Sequence, residues 1–127
     1  MNVILFLGGL LGLSSMMMAA LVDHVFALHL NEKILTEVLT AVRYHQFYAV
    51  FVSIIGICLP MQINSRSKSW LIWAAYLFII GVMLFSFGIY ITEIFGIQWA
   101  IHCTPIGGVT LIIGWTCLIC ASLFKIK

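Results

Sequence analysis

Apolar residues fall along this chain in four long runs separated by short polar breaks, and each run is long enough for a helix to cross a membrane. A bilayer core about 30 Å thick needs roughly 20 apolar residues of helix. Residues 3–22, 44–62 (densest from 47 to 61), 70–92 and 105–124 meet that length. In lipid each span must satisfy its own backbone hydrogen bonds, which selects helices, whereas a membrane barrel would show short alternating segments. The pattern predicts an all-α fold, a four-helix transmembrane bundle forming a single integral membrane domain over residues 1–127.

The break between the first two runs has its own period. Ile34, Leu35, Val38, Leu39 and Val42 form one apolar stripe at helical spacing, with Glu32, Lys33, Thr36, Glu37 and Thr40 on the other side. Asn31 is placed to cap it. This predicts an amphipathic helix in the outer interface that runs into the second span. Thr104 and Pro105 suit the start of the fourth span, where a missing N–H costs nothing. Pro60 is expected to end or kink the second.

Small residues recur at seven-residue steps in every span: Gly8 and Ser15; Ala49 and Gly56; Ala74, Gly81 and Gly88; Gly107, Gly114 and Ala121. That period keeps one seam facing a neighbour in a left-handed bundle. Lipid gives no hydrophobic drive between helices, so close approach at small residues supplies the attraction. Gly8 and Gly12 also make a G-x-x-x-G.

Composition sharpens the membrane reading. Apolar residues are 64% of the chain and charged residues 8%, against about 25% charged in a soluble domain. A net charge of +2, with no cluster of Lys and Arg, gives no basis for nucleic-acid binding. The first run lacks a preceding Lys or Arg and is longer than a signal-peptide core, so it reads as a retained span. Cys58, Cys103, Cys117 and Cys120 are scattered among apolar neighbours and do not form a secreted disulfide framework. Cys117 and Cys120 make a C-x-x-C late in an apolar helix, where a buried thiol is expected rather than a redox centre.

Charge also suggests an orientation. The loop 63–69 holds Arg66 and Lys68, and the tail holds Lys125 and Lys127. The opposite side holds Lys33 and Arg43, offset by Asp23, Glu32, Glu37 and Glu93. Basic residues favour the cytoplasmic side, so both termini are expected there, in the inner (plasma) membrane if the cell is bacterial. Trp70 and Trp73 at the inner surface and Trp99 at the outer one fit an aromatic belt.

Several short motifs carry a resemblance. Phe85-Ser86-Phe87-Gly88-Ile89-Tyr90, Thr104-Pro105-Ile106-Gly107-Gly108 and Gly114-Trp115 resemble the membrane family catalogued as domain of unknown function number 423, whose pattern is F-S-G-S-x-Y, T-P-x-G-G, then G-W. Arg43-Tyr44 and His24 match positions of that family's Y-Q-x-x-H-A and G-A-H motifs. The resemblance covers nearly the whole chain and implies a four-span membrane protein, with no biochemical activity to carry over. The chain departs from the pattern at Asp23, where the family has Ala, and at Phe87 and Gly88, where it has Gly and Ser. Tyr48 stands at the family's His position, and His45 at its Gln position.

Candidate chemistry gathers toward the outer side. His24, His29, His45 and His102 all fall there under this topology, with Asp23, Glu93 and Cys103. His45 shares a stripe with Ala49, Val52 and Gly56 and is expected to face the bundle, and Asp23 to continue the stripe of Gly8, Gly12, Ser15 and Ala19. Two readings follow. One is a metal site using His24, His45, His102 and Cys103, with Met16, Met17 or Met18 nearby, since imidazole and sulfur suit zinc or copper. The other is an outer polar network of Asp23, Arg43, Tyr48 and Glu93, with Arg43 paired to Asp23 or Glu93. Trp115 lies midway along its span, where it fills space beside Gly114 or stacks on a substrate. The middle of every span lacks Asp, Glu, Lys and Arg, which argues against a proton-coupled transporter acting as a monomer.

Three functions remain open. The leading one is a non-enzymatic accessory or packing protein that binds another membrane protein, or itself as a homo-oligomer, within the lipid bilayer. The second is a small homo-oligomeric transporter or channel, its interface lined by Ser14, Ser15, Thr110 or Thr116. The third is a metal- or cofactor-binding protein using the outer histidines. The sequence names no cofactor, substrate or partner.

Overall fold

A computed structural model of the chain describes residues 1–124. Lys125 and Lys127, which enter the orientation argument, lie outside the described residues. Five α-helices are joined by short turns: α1 (Val3–His24), α2 (Glu32–Cys58), α3 (Ser65–Val82), α4 (Gly88–Glu93) and α5 (Cys103–Ser122). Between α3 and α4 the helix does not stop. It passes through one π-helical turn, Met83–Phe87, so α3 and α4 form a single span. Four stretches are long and apolar enough to cross a membrane: Val3–Leu28, Glu32–Met61, Ser65–Glu93 and Gln98–Ser122.

Side-chain caps start the helices. Asn2, Asn31 and Asn64 each accept a hydrogen bond from a backbone N–H of the first turn, at Leu5, Ile34, and Arg66 with Ser67 respectively, supplying a partner that the helix itself lacks. α5 begins differently from the sequence expectation. His102 holds the N-cap position without a side-chain bond, and Thr104 lies inside the first turn. The Thr104 hydroxyl is buried against the span containing Gly88 and has no hydrogen-bond partner. A preceding 3-10 turn, Gln98–His102, feeds directly into α5, so the helix is already under way at Thr104. Pro60 sits in the 3-10 turn Leu59–Met61 that ends the second span, where its missing N–H breaks no α-helical bond. Gly96 turns the chain between α4 and that Gln98–His102 segment with φ +72, a left-handed conformation open to glycine without a Cβ clash.

The amphipathic stretch after Asn31 is helical and runs into the second span as expected, forming the first part of one continuous helix. At 27 residues α2 is about 40 Å long, more than one bilayer core. Val38, Ala41 and Val42 are buried in a cluster with Val22, Ile89 and Tyr90, and Ile34, Leu35 and Leu39 pack around it. The stripe is apolar because α1 and α4 cover it.

The helices associate as two pairs. α1 lies along α2, α5 lies along α3, and α2 meets α3 between them. Glycine sets the close approaches. A Cβ on Gly56 would come within 2.6 Å of the Leu5 backbone nitrogen, and one on Gly107 within 2.5 Å of that of Phe85. All ten small residues of the seven-step pattern are buried. A second core around Tyr48, Val52, Phe78, Val82 and Leu111 fills the centre.

Candidate functional site

Two groups of polar side chains lie within the apolar layer, and both are anchored on the middle of α2. The first is centred on a buried ring and includes the half-buried Ser14. His45 is 1% exposed. Its Nε2 lies 3.2 Å from the Ser14 hydroxyl on α1, and its Nδ1 lies 3.5 Å from the Tyr90 hydroxyl on α4. Ser14 also donates to the Leu11 carbonyl at 3.1 Å. A hydroxyl has one proton, so the set is satisfied by a single assignment. Tyr90 donates to Nδ1, the Nε2–H donates to Ser14, and Ser14 donates to Leu11. The Phe87 ring packs on His45 with centroids 5.1 Å apart. One turn away the Ser86 hydroxyl donates to the Ala41 carbonyl at 2.9 Å, fully buried. Ser86 and Phe87 belong to the π-helical turn, whose extra residue rotates the following helix and aims Tyr90 at His45.

The second group faces outward. Arg43, Tyr44, Phe47, Tyr48 and Trp115 line a cleft of about 450 Å³ between α2 and α5. Trp115 donates through Nε1 to the Tyr48 hydroxyl at 2.9 Å, which closes the cleft floor. Behind that bond Phe78 and Phe51 pack on Trp115 with centroids 5.4 and 5.0 Å away. Tyr44 and Phe47 are 42% and 49% exposed, so the cleft opens on the lipid side.

The structure separates residues that the sequence grouped. His45 is at mid-depth, beside Ser14 near the middle of α1, while His24, His29 and His102 lie together at the end of the bundle where α1 gives way to α2 and α4 to α5. His45 sits deeper than the sequence expectation puts it, because α2 begins at Glu32, twelve residues before Tyr44. Among the described residues no three His, Cys, Asp or Glu side chains gather as a metal site, so His24, His45, His102 and Cys103 do not come together. Asp23, Arg43, Tyr48 and Glu93 do not form one network either. Asp23 is exposed and Tyr48 is buried in the core. The seven-step stripe of α1 runs Gly8, Ser15, Val22, which turns Asp23 about 100° away from the seam. Arg43 lies in the cleft rather than against Asp23 or Glu93. The four hydroxyls considered for a channel lining also part company. Ser15 is buried and bonds to the Gly12 carbonyl, while Thr110 and Thr116 bond to carbonyls of their own helix α5. The four cysteines are unpaired thiols.

The motif residues converge. Gly107 meets Phe85, Gly88 meets Thr104, Trp115 meets Tyr48, and Tyr90 meets His45. Sequence reasoning missed the bond between Trp115 and Tyr48 and the link from His45 to Tyr90. A signal existed for the first: a tryptophan far from either aromatic belt needs an internal partner for its N–H.

Four apolar spans with polar side chains held inside define a multi-pass, all-helical integral membrane protein. Residues 18–108 match the family described as Protein of unknown function (DUF423), and the chain belongs to that family. It is similar to a UPF0382 membrane protein of Staphylococcus haemolyticus, at 31% identity over 98% of each chain. It is also similar to the UPF0382 membrane protein YwdK of Bacillus subtilis, at 27% identity over 96% of this chain and 97% of that one, and to one of Staphylococcus saprophyticus, at 29% identity over 99% and 100%. No solved structure gives a significant match.

Proposed function

We propose that this protein is a non-enzymatic accessory protein of the membrane that holds another transmembrane helix, from a second copy or from a different protein, against its α1–α2 face. The observation that carries this reading is Gln46. Its amide lies near mid-membrane on the outward side of α2, and among the described residues its nitrogen reaches only the Met16 thioether, at 3.7 Å. A carboxamide has two donors and an acceptor to satisfy, and hydrocarbon supplies none of them. Around it runs a groove of about 470 Å³ whose lining includes Gly9, Gly12, Ala49 and Ser53. A Cβ on Gly9 or Gly12 would meet nothing within 4 Å, so these glycines serve no contact inside the monomer. Small residues beside a polar one are the surface on which membrane helices associate.

The orientation that fits this reading puts both termini in the cytoplasm, in the plasma membrane of a bacterial cell. Arg66 and Lys68 then face inward, and Asp23, Glu32, Glu37 and Glu93 lie outside or near the outer surface.

The test is to extract the protein in mild detergent and determine the mass and composition of the eluting particle, for the unaltered chain and for Gly12→Ile and Gln46→Leu. A homo-oligomer or a stoichiometric foreign protein is expected, weakened by both substitutions while the monomer stays folded. A monomer free of other protein in the unaltered chain, or an assembly indifferent to both substitutions, would overturn the proposal.

A further inference from the structure

The cleft between α2 and α5 adjoins the Gln46 side of α2, where Arg43, Phe47 and Gln46 share a shallow pocket, but it has a different character from the glycine-lined groove. Its walls are aromatic, and a cation stands at its outer end. Arg43 is the only Asp, Glu, Lys or Arg between Val38 and Asn64. It lies eleven residues beyond Glu32, the first residue of α2, at a level where the facing stretches of the other spans are wholly uncharged. An arginine on the lipid-facing side at that depth is costly unless its side chain reaches toward the interface or finds a negative partner. Helical side chains lean toward the N-terminus of their helix, which for α2 is the outer end, so the guanidinium extends toward the outer headgroups while its stem lies along the cleft. No carboxylate lines the cleft to neutralise it. Below the charge, Tyr44, Phe47 and Trp115 offer an apolar trough over the floor made by the bond between Trp115 and Tyr48.

We propose that this cleft is a binding site for a single lipid with an anionic headgroup. The headgroup pairs with Arg43 and one acyl chain runs down the aromatic trough beside Trp115. Charge selects the occupant. A zwitterionic lipid brings its own cation beside the guanidinium, whereas a phosphate that is not internally neutralised takes a bidentate bond from it. A second protein helix fits less well, because the cleft is walled by large rings rather than by the small residues that let backbones approach. This inference stands apart from the partner-helix reading and survives its failure.

Trp115 reports on the site directly. In a chain carrying Trp70→Phe, Trp73→Phe and Trp99→Phe, it is the only tryptophan left. Those three indoles are exposed, so their replacement disturbs little of the core. The protein is reconstituted with brominated phosphatidylglycerol or brominated phosphatidylcholine, whose bromines quench a neighbouring indole. The relative affinity is expected to favour the anionic lipid by about five-fold, the worth of one basic residue beside an anionic surface. Arg43→Gln should bring the ratio close to one, and Arg43→Lys should keep most of it. A ratio near one in the parent chain would overturn the proposal, as would a ratio unchanged by Arg43→Gln. So would a Trp115 that neither lipid quenches, which is the outcome if a second copy covers the cleft.

Discussion

At the scale of single residues, the imidazole of His45 is a buried polar group held at both ring nitrogens. It is enclosed at mid-depth with Ser14 on one nitrogen and Tyr90 on the other, so it joins three spans through one ring. The two bonds are not equal. The Tyr90 contact, at 3.5 Å, is at the long end for a hydrogen bond. Interhelical hydrogen bonds in membranes average about 0.6 kcal/mol and reach about 1.7, so Tyr90→Phe should destabilise the protein by roughly the lower figure. His45→Leu leaves both hydroxyls without their partner and should cost more, about 1–3 kcal/mol for each group left unsatisfied in an apolar interior. Because the residues share one chain of bonds, the double variant should lose less than the sum of the single losses. Unfolding midpoints in mild detergent measure all three, and a Tyr90→Phe loss equal to that of His45→Leu would show that the ring does not act as the centre. The inward aim of His45 was legible from its stripe with Ala49, Val52 and Gly56. Its partners were not, because Tyr90 reaches it only through the π-helical turn at Met83–Phe87, which shifts the register that simple helical counting assumes.

At the scale of elements, the seven-step rule was the most informative feature of the sequence, and it also explains where counting failed. It separates Gly56 and Gly107, which face neighbouring backbone, from Gly9 and Gly108, which face open space. Gly56→Ala would drive a methyl into Leu5 and force α1 away from α2, a strain of about 1–3 kcal/mol. Gly108→Ala meets nothing within 4 Å and should gain up to about 1 kcal/mol from helix propensity. Thermal unfolding of the two variants in one detergent should therefore move in opposite directions. Equal shifts would mean that the glycine contacts do not set the helix spacing. The boundary of α2 was less legible. The polar side of Glu32–Thr40 marked the segment as interfacial, yet its apolar side is covered by α1 and α4. A stripe that faces protein and a stripe that faces lipid are both apolar, and only the tertiary contacts distinguish them. Arg43, which charge counting assigns to the segment outside the second span, lies well inside this helix.

At the scale of the whole molecule, the architecture followed from run length because lipid permits so few solutions for a buried backbone. Orientation rests on a thinner asymmetry. Only basic residues in short loops and near span ends count toward topology. Under the proposed orientation the outer side holds Lys33 and the span-embedded Arg43, while the inner side holds Arg66 and Lys68 in the loop and Lys125 and Lys127 in the tail. A fluorescent protein fused after Lys127 should therefore mature and glow in a bacterial host, and alkaline phosphatase fused in the turn at Gly96 should be active. Replacing Arg66 and Lys68 with Gln removes the inner-loop bias and should yield a mixed population in which both reporters are partly active. Phosphatase activity from the C-terminal position in the unaltered chain would invert the molecule. The Arg43 cleft would then open toward the inner leaflet, and the lipid it selects would come from the cytoplasmic side. The direction of the two reporters thus decides which leaflet supplies the headgroup, while the Trp115 measurement decides whether there is a headgroup site at all.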